Sequence, residues 1–339
     1  MLLIALPFFL NASDFNLENF WDNYISQVHE SDDGAKKKQY SSRNFFKQWF
    51  TGPLITPSPT TLPPGKTALG LGVAEFYYYG SFNEKWKLHT TNSPKFWSTE
   101  YIIYPMIGLT KRVGTEAWGV LASNYGKKHS CTQFQDTIYR LGYQISIDKL
   151  EKGNWVPDLR IIAQEIFPTG KYNKLNPDKE GIDATGQGSF QTGIYLAYQK
   201  GFKFDTKHAF NLAGAVGYFV LSSVRVKGQS FYGGTPSSRG RVYPGNLISI
   251  FSSGEFEISK HVALAYDSNC RINLSGKYKS KIGPDPSVKA LQIVNFMFTP
   301  EIEVTVSENA GFLIGPWFNF AGQNTPAFAS VFVAFMVVF

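Results

Sequence analysis

The chain has 339 residues, of which 43% are hydrophobic, 16% aromatic and only 17% charged, with a formal net charge of +7. So apolar a composition excludes a disordered chain, which needs low hydrophobicity and high net charge to stay unfolded. No apolar stretch reaches the roughly 18 residues of a spanning helix; the longest are residues 2–10 and 327–339. Helical spans are excluded, and the hydrophobicity must be spread over many short elements. The only two cysteines, Cys131 and Cys270, have no CxxC or CxxH neighbour, so spacing encodes neither a zinc site nor a disulfide framework. Whether the two pair with each other stays open.

At the start, MLLIALPFFL followed by Asn11-Ala12-Ser13 reads as the apolar core and cleavage region of a signal peptide over residues 1–13, without the usual basic start. A hydrophobic first strand or buried helix is the competing reading. Over residues 14–29, Leu17, Phe20, Trp21, Tyr24, Ile25 and Val28 recur at helical spacing and predict a short amphipathic helix. A polar, lysine-bearing stretch follows, then FTGPLITPSPTTLPPG, with too many prolines for a helix or a central strand. Residues 14–66 are therefore expected to form an N-terminal periplasmic or plug segment.

From Thr67 onward the pattern changes to period two. Tyr139, Leu141, Tyr143, Ile145 and Ile147 alternate with Ile138, Arg140, Gly142, Gln144 and Ser146. Phe296, Phe298, Ile302, Val304 and Val306 oppose Asn295, Thr299, Glu301, Glu303 and Thr305, and Ile248, Ile250, Phe256 and Ile258 oppose Ser249, Ser253, Glu255 and Glu257. Such strands have one apolar and one polar face. Twelve segments follow this pattern: 67–82, 96–113, 117–125, 132–148, 155–168, 188–204, 207–224, 246–259, 261–275, 289–306, 308–320 and 326–339. Many exceed the roughly 9–11 residues that a tilted strand needs to cross a bilayer. Long polar connections, such as 170–188 and 227–246, alternate with short ones at 114–116, 205–206, 260–261 and 307–308. Outer-membrane barrels alternate in this way. The eleventh connection is expected to be a long one.

Periodicity does not by itself say which face points inward. A soluble barrel buries its apolar face, whereas lipid reverses the arrangement. Aromatic residues toward strand ends (Trp97, Tyr101, Trp317, Phe318) fit interfacial girdles, and twelve apolar faces exceed what one barrel interior can hold. The reading is an all-β, transmembrane, antiparallel up-and-down β-barrel over residues 67–339, preceded by the short helical or irregular segment. Inward-facing, pore-lining positions are then Glu75, Glu100, Asp136, Arg140, Arg160, Gln164, Gln191, Glu255, Glu257, Glu301 and Glu303. They would filter solutes or pair with one another to hold the register. The terminal Phe335, Val337 and Phe339 at alternate positions resemble the membrane-insertion signal of bacterial outer-membrane barrels, which the barrel-assembly machinery reads.

The outer loops are basic: residues 83–95 and 126–129 carry +2 each, 227–241 carries +3 and 276–285 carries +2, while 170–188 is neutral. A solvated crown, contact with lipopolysaccharide phosphates and attraction of anionic solutes all fit this charge. No nucleic-acid motif accompanies it, so nucleic acid is not expected as a partner. The five histidines, the Gly70-Leu71-Gly72 stretch and Gly186-Gln187-Gly188 match no HExxH, GxSxG or GxGxxG pattern. Of the histidines, His89 and His129 lie where the rim of an outer-membrane hydrolase would need them.

FTGPLITPSPTTLPPG, LGYQI (residues 141–145) and EIFPTGKY (residues 165–172) resemble the outer-membrane family named for the MetA pathway of phenol degradation. The resemblance covers about residues 50–172. It implies a barrel fold and a transport role in the bacterial outer membrane, with no site residue and no phenolic substrate carried over. The expected function is passive uptake of small solutes, including hydrophobic or aromatic ones, with no cofactor. The alternatives are an outer-membrane hydrolase and a surface adhesin or structural barrel with a blocked lumen.

Overall fold

The computed structural model describes residues 54–90, 96–148, 155–203, 209–259, 261–281, 285, 287–307 and 309–339. The signal peptide and the helix expected over residues 1–29 lie outside the described residues. In chain order the strands are β1 (Thr67–Phe82), β2 (Leu88–Thr90), β3 (Phe96–Gly108), β4 (Val113–Gly126), β5 (Ser130–Phe134), β6 (Thr137–Ser146), β7 (Asp158–Phe167), β8 (Gln191–Lys203) and β9 (Ala209–Leu221). They continue with β10 (Val224–Lys227), β11 (Arg239–Tyr243), β12 (Leu247–Ser259), β13 (Val262–Asn273), β14 (Lys277–Ser280), β15 (Ile293–Ser307), β16 (Ala310–Gln323) and β17 (Thr325–Val338).

Twelve of these strands form a closed antiparallel barrel in the order β1-β3-β4-β6-β7-β8-β9-β12-β13-β15-β16-β17. The last strand closes on the first, from Ala68 opposite Val338 to Phe82 opposite Thr325. Closure pairs the backbone all round and leaves no edge, which a sheet surrounded by lipid requires. Outside the ring, β2 pairs β1, β5 pairs β4, and β10-β11-β14 form a separate three-stranded sheet.

The twelve expected segments are the twelve barrel strands, with four local corrections. Residues 114–116, expected as a turn, lie inside β4; the turn is residues 109–112, where the Thr110 hydroxyl accepts the amides of Arg112 and Val113. The segment 132–148 is split at Gln135 and Asp136 into β5 and β6. The connection from β16 to β17 is the single residue Asn324, in a left-handed conformation (φ 53°) that Asn tolerates. Trp317 turns inward onto Phe76 and Phe328 instead of joining a girdle. Both cysteines are free.

The apolar face is the outer one. Leu71, Ile103, Leu141, Ile161, Ile194, Val216, Ile250, Leu264, Ile302, Ile314 and Val331, each on a different strand of the ring, are all more than two-fifths exposed. Soluble monomers rarely expose contiguous apolar patches beyond a few hundred Å². The opposite face buries Glu116, Arg140, Arg160, Asn211, Glu255, Asp267, Glu301 and Asn319. This inverted polarity is that of a transmembrane β-barrel.

Candidate functional site: the lumen and the strap within it

The chain does not enter β1 directly from outside the ring. Residues 54–61 run against the inner wall, with Pro57 and Pro59 fully buried. Proline suits this path, because it has no amide to leave unpaired and it favours a stiff, extended backbone. The strap is held at two places by opposite chemistry. On β13, Asp267 accepts the Ile55 amide (2.9 Å) and the Thr56 hydroxyl (2.5 Å). On β7, Arg160 Nη1 donates to the carbonyls of Ser58 and Thr60 (3.0 Å each), and on β6 Gln144 donates to the carbonyl of Pro59 (3.0 Å). At the first pin, Leu54 packs on the cluster of Phe76, Met297, Leu313, Phe328 and Phe332, and Ile55 packs on that of Tyr195, Phe219 and Phe251.

The wall behind the second pin is an ion network. Glu116 on β4 lies 3.4 Å from the Arg140 guanidinium and 3.7 Å from that of Arg160, and all three side chains are buried. Arg140 also donates to Gln164 (2.6 Å). Gly142 on β6 makes room for this: a Cβ there would collide with the Arg160 guanidinium. Glu116 and Gly142 thus let one arginine lie flat along the wall and still reach the strap. The wall behind the first pin is acidic. Glu301 stands among Asp267, Glu303 and Glu255, and Asn211 donates to Glu255 (2.6 Å).

Of the residues expected to line the pore, Arg140, Arg160, Gln164, Gln191, Glu255, Glu301 and Glu303 lie buried on the inner face. Glu100, bonded to Gln135, and the half-buried Glu257 share its parity. Two residues lie elsewhere. Glu75 is on the outer face with Leu71, Val73 and Tyr77 and is bonded to Thr99, because Gly70, Gly72, Ala74 and Phe76 take the inward parity of β1. Asp136 precedes β6 and anchors the loop 168–190, accepting the amides of Gly170 (2.9 Å) and Gln187 (2.8 Å). Burial pushes its carboxyl upward, against the pull of those two amides. Sequence reasoning missed Glu116, because it was placed in a turn, and Asp267, because it was not counted among the polar positions. The alternation of Asp267 with Leu264 and Tyr266 could have revealed it.

The rest of the inner wall is aromatic. Tyr78 stacks on Phe96 (4.3 Å between ring centres), and Phe76 meets Trp317 (5.3 Å) and Phe328 (5.4 Å). Tyr104 stacks on Trp118 (4.5 Å), whose ring lies 5.4 Å from the Arg140 guanidinium. Beside the strap is a cavity of about 70 Å³, lined by Leu54, Thr56 and Ser58 together with Tyr104, Glu116, Trp118 and Arg140 of the wall. His89 and His129 lie exposed outside the lumen, with the His89 ring 2.9 Å from the Asn83 amide nitrogen. Phe335, Val337 and Phe339 share the outward parity of β17 with Val331 and Val333.

Closed ring, apolar exterior and polar, aromatic lumen together define a transmembrane barrel of the outer-membrane type. Among solved structures, an outer membrane channel from Pseudomonas putida F1 is similar in fold: the match covers 86% of this chain and 100% of that one, with a TM-score of 0.62 and 15% identity. The NanC porin (TM-score 0.40, 11% identity, 79% of this chain and 98% of that one) and the CymD monoaromatic hydrocarbon channel (TM-score 0.35, 11% identity, 82% and 89%) are more distant. No protein-family model matches the chain, and no curated protein does.

Proposed function

We propose that this protein is a channel of the bacterial outer membrane, not an enzyme, and that it passes small solutes down their gradients, hydrophobic and aromatic ones among them. The observation that carries this reading is the strap, gripped at two points inside an aromatic lumen. A cavity of about 70 Å³ lies beside it, lined by strap and wall together. On this reading the strap yields for a solute to pass, and two polar pins on a stiff backbone form a latch that can do so without unfolding the wall. The stacked rings offer neutral aromatic solutes a surface on either side of that latch. Membership of the outer-membrane family of the MetA pathway of phenol degradation fits the same region: two of the resembling motifs, the proline-rich strap and LGYQI, meet in the Gln144–Pro59 hydrogen bond. The outward-facing Phe335, Val337 and Phe339 are, on this reading, the segment presented to the barrel-assembly machinery.

Single-channel recording in planar bilayers tests the proposal. The native chain is expected to open rarely, and a variant lacking residues 54–60 to conduct continuously. Silence from both, in protein whose migration on gels is heat-modifiable, would overturn the channel reading.

A further inference from the structure

Outside the membrane ring, β10, β11 and β14 form a small sheet with two unlike faces. One face is apolar: Val224, Val226 and Val242 pack with Val288 against Tyr172, Tyr232 and Tyr278. The other consists largely of exposed cations. Arg225, Arg241 and Lys279 stand in one cross-strand row. Lys227 faces Arg239 in the next, whose carbonyl accepts the Lys281 amide, and Lys277 faces Tyr243 in the third. Directly opposed like charges destabilise a sheet. Here they are spread over a surface that the valine face holds rigid. Among the described residues, the four ion pairs are Glu116 with Arg140 and with Arg160, Lys171 with Asp183 and Lys200 with Asp148, so none draws on these cations. The nearby Asp285 carboxylate is occupied by the hydroxyls of Ser238 and Ser287, which hold it below the usual carboxylate range.

The direction of the basic face identifies its partner. The sheet repeats the order of β9, β12 and β13 and continues those strands after residues 222–223, 244–246 and 274–276. Tyr232, on the valine side, donates to the carbonyl of Gln187, whose side chain accepts from the lumen-facing Gln191. The valine side is therefore turned toward the barrel mouth. The cations are turned away from it, to the side on which Val216, Tyr218, Val220 and Ile250 face lipid. A basic face there meets the headgroup layer, not a solute approaching the pore.

We propose that this face is a binding site for lipid phosphates of the outer leaflet, the phosphorylated glucosamine headgroup of lipopolysaccharide. The inference rests on the outer-membrane reading above, though not on conduction. Each Lys or Arg beside an anionic membrane surface strengthens attachment several-fold. The test uses the full chain in neutral-lipid nanodiscs titrated with bisphosphorylated lipid A, with dephosphorylated lipid A and with inorganic phosphate. Replacing three cations of the sheet (Arg225→Ser, Arg241→Ser, Lys279→Ser) is expected to weaken lipid A binding by roughly ten- to a hundred-fold. An equal loss of charge elsewhere (Lys85→Ser, Lys87→Ser, Lys128→Ser) should change it less than about two-fold. Equal losses in both variants, or unchanged binding in the first, would overturn the proposal. So would binding of dephosphorylated lipid A as tightly as lipid A, or saturation by inorganic phosphate in place of lipid. A barrel that is silent in bilayers yet binds lipid A through this sheet would sink the channel reading and leave the lipid site standing.

Discussion

The two walls that grip the strap differ in how they treat charge. On β4, β6 and β7, Glu116 sits between two guanidiniums, which also donate to Gln164, to the Gly114 carbonyl and to strap carbonyls. On β12, β13 and β15, three carboxyl groups gather around Glu301, with Arg271 four residues along β13 from Asp267 and beside Tyr195. The first wall is a structural network that reaches out to hold the strap's acceptors. The second presents acceptors to the strap's donors and keeps the rest of its carboxyl groups facing the lumen. A strap held by its carbonyls on one side and by its amide and hydroxyl on the other can dock in only one direction, because neither wall can substitute for the other.

If that comparison is right, the largest effect should follow loss of Arg160. Arg160→Ala removes both carbonyl donors and one partner of a buried carboxylate, and breaking such a network costs about 3–5 kcal/mol. A large drop in melting temperature and frequent opening in planar bilayers are expected; unchanged gating would mean that the strap is held elsewhere. Asp267→Ala should act in the same direction but more weakly, since hydrogen bonds to a charged group contribute about 1.5–3 kcal/mol. Thermal melts and open-time histograms of the two variants would rank the pins. The smallest effect separates the two faces of the barrel. Glu301→Gln, which relieves the crowding of buried carboxyl groups, should raise the melting temperature, whereas Glu75→Gln on the outer face should leave the reversal potential unchanged and alter stability by no more than about 0.5 kcal/mol. A reversal-potential shift from Glu75→Gln would put that residue back in the lumen.

The strands were legible because lipid contact imposes a period of two over long segments, as on β6, where Tyr139, Leu141, Tyr143 and Ile145 leave no other register. The site was legible only in part. Arg140 and Arg160 stand out as polar residues on an alternating strand. Glu75 does too, yet it faces outward, because an inner face built of Gly70, Gly72 and Ala74 carries no polar label. Glu116 was lost to a misplaced turn, since Gly114 and Thr115 resemble turn residues when the Thr110-centred turn next to them is overlooked.

Alternation of apolar and polar residues, together with more apolar faces than one barrel interior can hold, determined that this chain is a membrane-spanning barrel of twelve strands, because a strand with lipid on one side must write that fact at every second residue. Local sequence held no comparable signal for what fills the barrel. That Leu54–Thr61 lies inside, that Asp267 and Arg160 hold it from strands a hundred residues or more away, and that seven cations of β10, β11, β14 and Lys281 share one face, were decided by closure of the ring. Those contacts are long-range, and only the tertiary structure brings their partners together.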